Sequence, residues 1–262
     1  MNDQNPLAKS LELLWEGLTE PKRGPKPKLT LEQIVEAGIA LADTRGLEAL
    51  SMRALAKELD VGTMSLYRYL PSKTELLNLM LDTVIGPSEA RRDALTHGWR
   101  TFLRVTAHEA RSLYLRHPWT LQANWTRPVL GPNSVGDMEL FMSGLQGLPL
   151  SDQEKMSLVT ALDSYVMGSA RQEVLWLNAA AETGMTDDEF WGHQLPALES
   201  AMNSGKFPAM AALSEDAFDG DWEESFDFGL DHFLDGLEQK FARRARGEHL
   251  DAGKQPLFGS GA

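Results

Sequence analysis

The sequence predicts an all-α protein: a three-helix helix-turn-helix domain at the N-terminus and a larger helical domain after it. Three observations carry this. Ser or Thr is followed three residues later by Glu or Gln at Thr30/Gln33, Ser72/Glu75, Ser151/Glu154 and Thr186/Glu189, the pattern of reciprocal helix N-caps. Apolar residues recur at three- and four-residue spacing through one segment after another. No stretch alternates with the period of two that a half-buried strand needs, and no repeat is visible.

The elements follow in order. Leu7, Leu11, Leu14, Trp15 and Leu18 sit at helical spacing ahead of PKRGPKPKLT, residues 21–30, whose Pro and Gly break the pattern. Residues 1–29 are therefore an extension. Thr30 caps a helix whose apolar face is Leu31, Ile34, Val35, Gly38, Ile39 and Ala42, and Gly46 is its C-terminal cap. Ser51 caps a second helix with Leu55, Ala56 and Leu59 inward, which stops at Asp60-Val61-Gly62. Thr63 caps a third over residues 64–70, closed by Pro71, and the Ser72 box opens a fourth to about Val84. Residues 30–84 thus form one domain. Gly86-Pro87 breaks the chain, and residues 88–250 form the second domain. It has helices near 98–116, 152–181 and 221–246, a shorter one from Thr186, and a Pro/Gly loop at 126–136. Residues 251–262 read as a loose tail.

Composition narrows the function. The 262 residues can bury a real core. There is no Cys, which excludes a disulfide framework and a thiolate metal site. No apolar run reaches the roughly 20 residues of a membrane helix, and the acid-containing N-terminus is unlike a signal peptide, so no membrane partner is expected and the cytoplasm is the expected location. The net charge of −13 is uneven: residues 21–84 hold nine bases against eight acids, while 85–262 carry −11. An acidic body repels nucleic acid, so any DNA contact is confined to the near-neutral segment. No HExxH, GxSxG or phosphate-cradling Gly loop occurs, and neither enzyme activity nor a metal or other cofactor is expected. Asp187, Asp188 and Glu189 with His193 read better as a capped helix start, where acids complement the dipole, than as a cation site.

Two short helices across a Gly-containing turn, with a third before them, follow the helix-turn-helix plan. The stretch TMSLYRYL buries only Leu66 and Leu70 well, leaving hydroxyls and phenols near a helix N-terminus where they approach base edges and phosphates. EALSMRALAKELDVGTMSLYRYLPSKTELLNLML resembles the DNA-binding domain of the tetracycline-repressor-like (TetR) family of transcriptional regulators, and the resemblance spans residues 30–82. LRHPW, WTRPVLGPNS and FDFGLDHFLDGLE resemble the branch with the tetracycline-repressor type of ligand-binding domain, which includes regulators of antibiotic exporters. By that resemblance Arg53, Thr63, Met64 and Ser65 face bases, while Tyr67, Tyr69 and Lys73 hold phosphates. The chemistry agrees for most of them. Arg53 can fork to a guanine edge, worth ~1–3 kcal/mol of discrimination, and Lys73 adds charge to a helix N-terminus. Met64 either touches a thymine methyl or caps the core. Lys22, Arg23, Lys26 and Lys28 are either a plain linker or a DNA-binding arm. Pro25 and Pro27 favour an extended form rising ~3.1 Å per residue, which reaches a neighbouring minor groove, and the arm is the favoured reading.

In the second domain Phe102, Phe226 and Phe233 read as core. Trp119, Trp125, Tyr165 and Trp176 differ, because they keep company with Asn124, Arg127, Arg171, Glu173 and Asn178. Apolar walls with a few convergent polar groups describe a small-molecule pocket, here for a flat aromatic or polycyclic effector. The tetracycline-binding members use a Mg-linked His that ANWTRPVLG lacks, which argues against metal-chelated tetracycline. Apolar stripes on helices 152–181 and 221–246 predict a homodimer, with Gly229 and Gly236 permitting close approach and the acids between 215 and 238 on a solvated face. The expected function is a dimeric, ligand-responsive repressor of a palindromic operator, controlling an exporter on family analogy. The alternatives are a constitutive or architectural DNA-binding protein without effector, and a helical enzyme or carrier.

Overall fold

The computed structural model describes residues 6–17, 29–123, 127–214 and 216–247. Among these residues the chain forms twelve α-helices and no strand. The basic residues Lys22, Arg23, Lys26 and Lys28, the residues Asn124 and Trp125, and the tail 251–262 lie outside them.

The N-terminal domain, or head, contains α1 (Pro6–Glu16), α2 (Leu31–Ala49), α3 (Met52–Glu58), α4 (Thr63–Leu66) and α5 (Lys73–Val84). Thr30 and Gln33 form the reciprocal box, and Ser51 accepts from the Ala54 N–H at 3.1 Å. Gly46, at φ 77°, interrupts α2 where the sequence places its cap, and a short turn follows. Two caps differ from expectation. Thr63 is the first helical residue of α4, because Gly62 holds the cap position with no side-chain bond. Ser72 accepts from the Thr74 N–H and donates to the Glu75 carboxylate, so Glu75 meets the cap side chain instead of the cap backbone. Ile34, Leu55, Leu66, Leu70, Leu76 and Met80 are fully buried in one core. To it α1 adds Leu13, and the Ser10 hydroxyl accepts from the Asn78 amide at 2.9 Å.

The second domain contains α6 (Glu89–Ala94), α7 (Trp99–Arg116), α8 (Pro132–Gly144), α9 (Asp152–Thr183), α10 (Asp187–Asn203), α11 (Pro208–Ala211) and α12 (Trp222–Ala245). Phe102, Leu103, Leu145, Val166, Phe226, Leu230 and Leu234 fill a separate core. The first turn of α8 occupies part of the 126–136 stretch expected to be a loop. Pro132 at its first position is a start signal, but neighbouring Gly residues and weak amphipathicity hide the helix behind it. The apolar stripe of α9 is buried only in its middle, at Leu162, Val166 and Ala170, while Met156 and Leu177 are exposed. Along α10 no residue is buried.

Two expectations about α12 are corrected. Its acids are not simply solvated. Arg100, Arg104 and His108 succeed one another at four-residue spacing on one face of α7, and they meet Asp227, Asp231, Asp235 and Glu238. Arg100 lies 2.5 Å from Asp235 and His108 2.9 Å from Asp227. Gly229 does allow a close approach, but to α9 of its own chain: a Cβ there would lie 2.3 Å from the Tyr165 hydroxyl oxygen. At the other end of α12, Lys240 and Arg244 bridge to Glu154 in the N-terminal cap of α9.

Candidate nucleic-acid interface and effector domain

The recognition turn anchors two residues and frees the rest. Leu66 and Leu70 are 0% exposed, whereas Met64 is 77% and Tyr67 42% exposed. Met64 therefore does not cap the core. Arg53 and Lys57 of α3 share with Thr63 the groove between α3 and α4, and Ser65 is half-buried. Arg68, passed over as a contact in the sequence reading, donates to the Ser65 hydroxyl at 3.1 Å and adds a cation to this edge. Its three-residue spacing from Ser65 was the available signal. Two expected phosphate contacts are drawn inward: Tyr69 is half-buried against the head core, and Lys73 donates to the Leu47 carbonyl at 2.9 Å.

Side-chain bonds among the described residues join the head to the second domain. Near the end of α5 the buried Asp82 accepts from Asn133 N–H at 3.3 Å, Ser134 N–H at 2.9 Å and the Ser134 hydroxyl at 2.6 Å. A head carboxylate therefore caps α8, where unpaired N–H groups and the helix dipole favour it. Gly131 makes this possible, since a Cβ there would stand 2.4 Å from the Asp82 carboxyl carbon. On α2, Asp43 accepts from the Trp119 indole N–H at 2.8 Å and pairs with His117 at 2.8 Å. Trp15 of α1 donates to the Leu130 carbonyl at 3.0 Å. His117, Trp119, Leu130, Asn133 and Ser134 are thus bonded to α1, α2 and α5.

The residues expected to line a pocket are dispersed. Trp119 is 2% exposed and belongs to the head core. Tyr165 stacks on Phe226 with ring centres 5.5 Å apart and donates to its carbonyl at 2.5 Å. Glu173 pairs at 2.6 Å with Arg111, whose guanidinium lies 5.3 Å from the Phe226 ring centre. Tyr165 and Glu173 therefore meet around Phe226. Arg127, Arg171, Trp176 and Asn178 are exposed, with Trp176 tilted against Trp222.

Deeper in the domain lie polar residues that the sequence reading missed. Tyr114 donates to Asp163 at 2.7 Å, and burial, aided by the Asp163 charge, pushes the phenol far up. Burial also raises the Asp163 carboxyl, with Asp137 adding to the effect. Asp137 in turn pairs with Arg91. Single polar residues on α7 and α9 gave the only hint, an interruption of apolar stripes.

Known proteins match this geometry. Residues 34–80 match the family described as bacterial regulatory proteins, tetR family, and residues 93–241 match the tetracyclin repressor-like C-terminal domain. The HTH-type transcriptional repressor DrrR1 of Streptomyces coeruleorubidus is 50% identical over 242 residues, 92% of this chain and 89% of that one. An HTH-type transcriptional regulator of Saccharopolyspora erythraea is 31% identical over 83% of this chain and 88% of its own length. The solved structure of ActR from Streptomyces coelicolor in complex with actinorhodin is 27% identical with a TM-score of 0.63, covering 82% of this chain and 99% of that one. Among the described residues no helix is long and apolar enough to cross a membrane.

Proposed function

The chain belongs to the TetR family of bacterial transcriptional regulators, and we propose that it is a ligand-responsive repressor acting as a homodimer on a palindromic operator in the cytoplasm. The observation that carries this reading is the bonded joint between the domains. Asp43 and Asp82, both on head helices, are committed to the segment that leads into and starts α8. A small molecule that repositions this segment reorients the α3–α4 surface, and it releases DNA to the extent that it binds the DNA-free arrangement better. A flat aromatic or polycyclic effector is supported by the ring cluster around Phe226 and by the complex of the relative ActR with actinorhodin.

The dimer reading rests on α10 and α11. Phe190, Trp191, Leu195 and Leu198 of α10 and Met210 of α11 are exposed on helices that bury none of their residues, and Phe207 at the cap of α11 is exposed beside them. Such a surface is stable only against another, and a second copy supplies it. Two heads then read half-sites about 34 Å apart. Lys22, Arg23, Lys26 and Lys28 serve as a minor-groove arm, and the regulated gene encodes an exporter.

Selection of bound fragments from random DNA, followed by titration of the complex with a broad compound panel, tests the proposal. It predicts a palindromic site that at least one aromatic compound releases. Operator binding that no compound weakens assigns the chain to constitutive DNA binding instead, and a monomer by light scattering at micromolar concentration contradicts the dimer.

A further inference from the structure

We propose that Arg91 anchors the effector through an anionic oxygen, so that the effector is a flat acid (a carboxylate or ionised phenol on a ring system) and not a neutral polycycle; this rests on the ligand-responsive reading above. Arg91 lies on α6 and is 6% exposed. Its Nη1 donates to Asp137 of α8, and its guanidinium carbon stands 5.9 Å from the centre of the Phe102 ring on α7. Its Nε and Nη2 have no hydrogen-bond partner among the described residues. A guanidinium presents five N–H donors in a fixed fork and stays charged, so burying part of that fork unmet is costly.

The surroundings hold the fork in place. A Cβ on Gly144 would lie 2.2 Å from the Phe102 ring, and Phe141 meets the same ring edge-on at 5.9 Å. Arg91 is thus seated between a fixed aromatic face and one carboxylate. Two acids of the neighbouring helices α9 and α7 are engaged elsewhere: Asp163 accepts from Tyr114 at 2.7 Å, and Glu109 accepts from Ser88 at 2.6 Å. One turn beyond Phe102 on the same face of α7, the buried Thr106 hydroxyl is likewise without a partner among the described residues. The complement of these groups is a planar acid, whose oxygens accept from the remaining edge of the fork.

Anthraquinone-2-carboxylate and anthraquinone-2-carboxamide are probes of nearly equal shape and different charge. Each is titrated against the full-length protein by quenching of tryptophan emission. The carboxylate binds about tenfold tighter or more, as a charge-assisted hydrogen bond requires. Arg91→Lys keeps the charge but drops the fork, and it reduces that preference while the carboxamide serves as internal control. Asp137→Asn removes the competing carboxylate and strengthens carboxylate binding, so its sign decides the matter if Arg91→Lys does not fold. Equal affinity for the two probes, binding of neither, or a preference undiminished in Arg91→Lys overturns the proposal. So does a water molecule as the sole partner of Nε and Nη2 in a crystal of the carboxylate complex. Operator release by a neutral polycycle without discrimination between the probes removes the acid anchor and leaves the repressor reading standing. Failure of every compound to release DNA strikes that reading itself.

Discussion

The head and the effector domain put their polar residues to different uses. In the head, Thr30 and Ser51 cap helices and Arg53 and Tyr67 face outward, over a core whose fully buried large side chains are, Trp119 apart, aliphatic or Met. In the effector domain, Arg91 with Asp137, Tyr114 with Asp163 and Arg111 with Glu173 pair inside or between helices. The difference fits the two proposed tasks. A surface that fits a fixed groove gains from a rigid support, whereas an interior that receives a ligand needs polar groups able to change partners. Asp43 and Asp82 are head carboxylates given over to the neighbouring domain, and they are where the two behaviours meet.

The strongest way to break this contrast is to disturb the effector interior alone. Gly144→Ala forces a methyl into the Phe102 ring and is expected to cost ~1–3 kcal/mol by overpacking. Calorimetry should show a lower melting transition while the base preference of the head is kept; an unchanged transition would mean that the contact is soft. Arg53→Ala makes the converse cut. Operator affinity falls by ~1–3 kcal/mol with preference relaxed at one base pair, and thermal stability holds; a uniform loss across all sequences would reassign Arg53 to the phosphate backbone.

A smaller effect sharpens the contrast through pH. The Arg244 guanidinium, with the Ser151 N–H and Lys240, holds Glu154 well below the usual carboxylate range. A depressed pKa gives stability that is whole above the ordinary value of 4.5 and is lost as pH falls through the folded value. Glu154→Gln is therefore less stable than wild type at neutral pH, and the gap in denaturant midpoint narrows in acid. A gap that widens in acid refutes the assignment.

Most of the head was legible because its signals are local. Thr30 with Gln33, Ser51 before Met52 and the φ of Gly46 are decided within a few residues. The effector interior was not, because Arg91 finds Asp137 across 46 residues and no spacing encodes such a pair. Trp119 shows how a sound inference fails. An aromatic residue among polar neighbours reads as a pocket wall, yet its indole finds Asp43 76 residues upstream and joins the head core. The acids of α12 looked solvated because their partners lie on α7, more than a hundred residues earlier in the chain.

The central claim is that the joint at Asp43 carries the signal between domains. Once a releasing compound is in hand, the ratio of operator affinity without and with saturating compound is measured for wild type and for Asp43→Ala. The account predicts a wild-type ratio of about 5–150, the span of typical allosteric coupling. In Asp43→Ala that ratio falls towards one while the variant still binds both the operator and the compound. A variant whose ratio equals that of wild type would contradict the account.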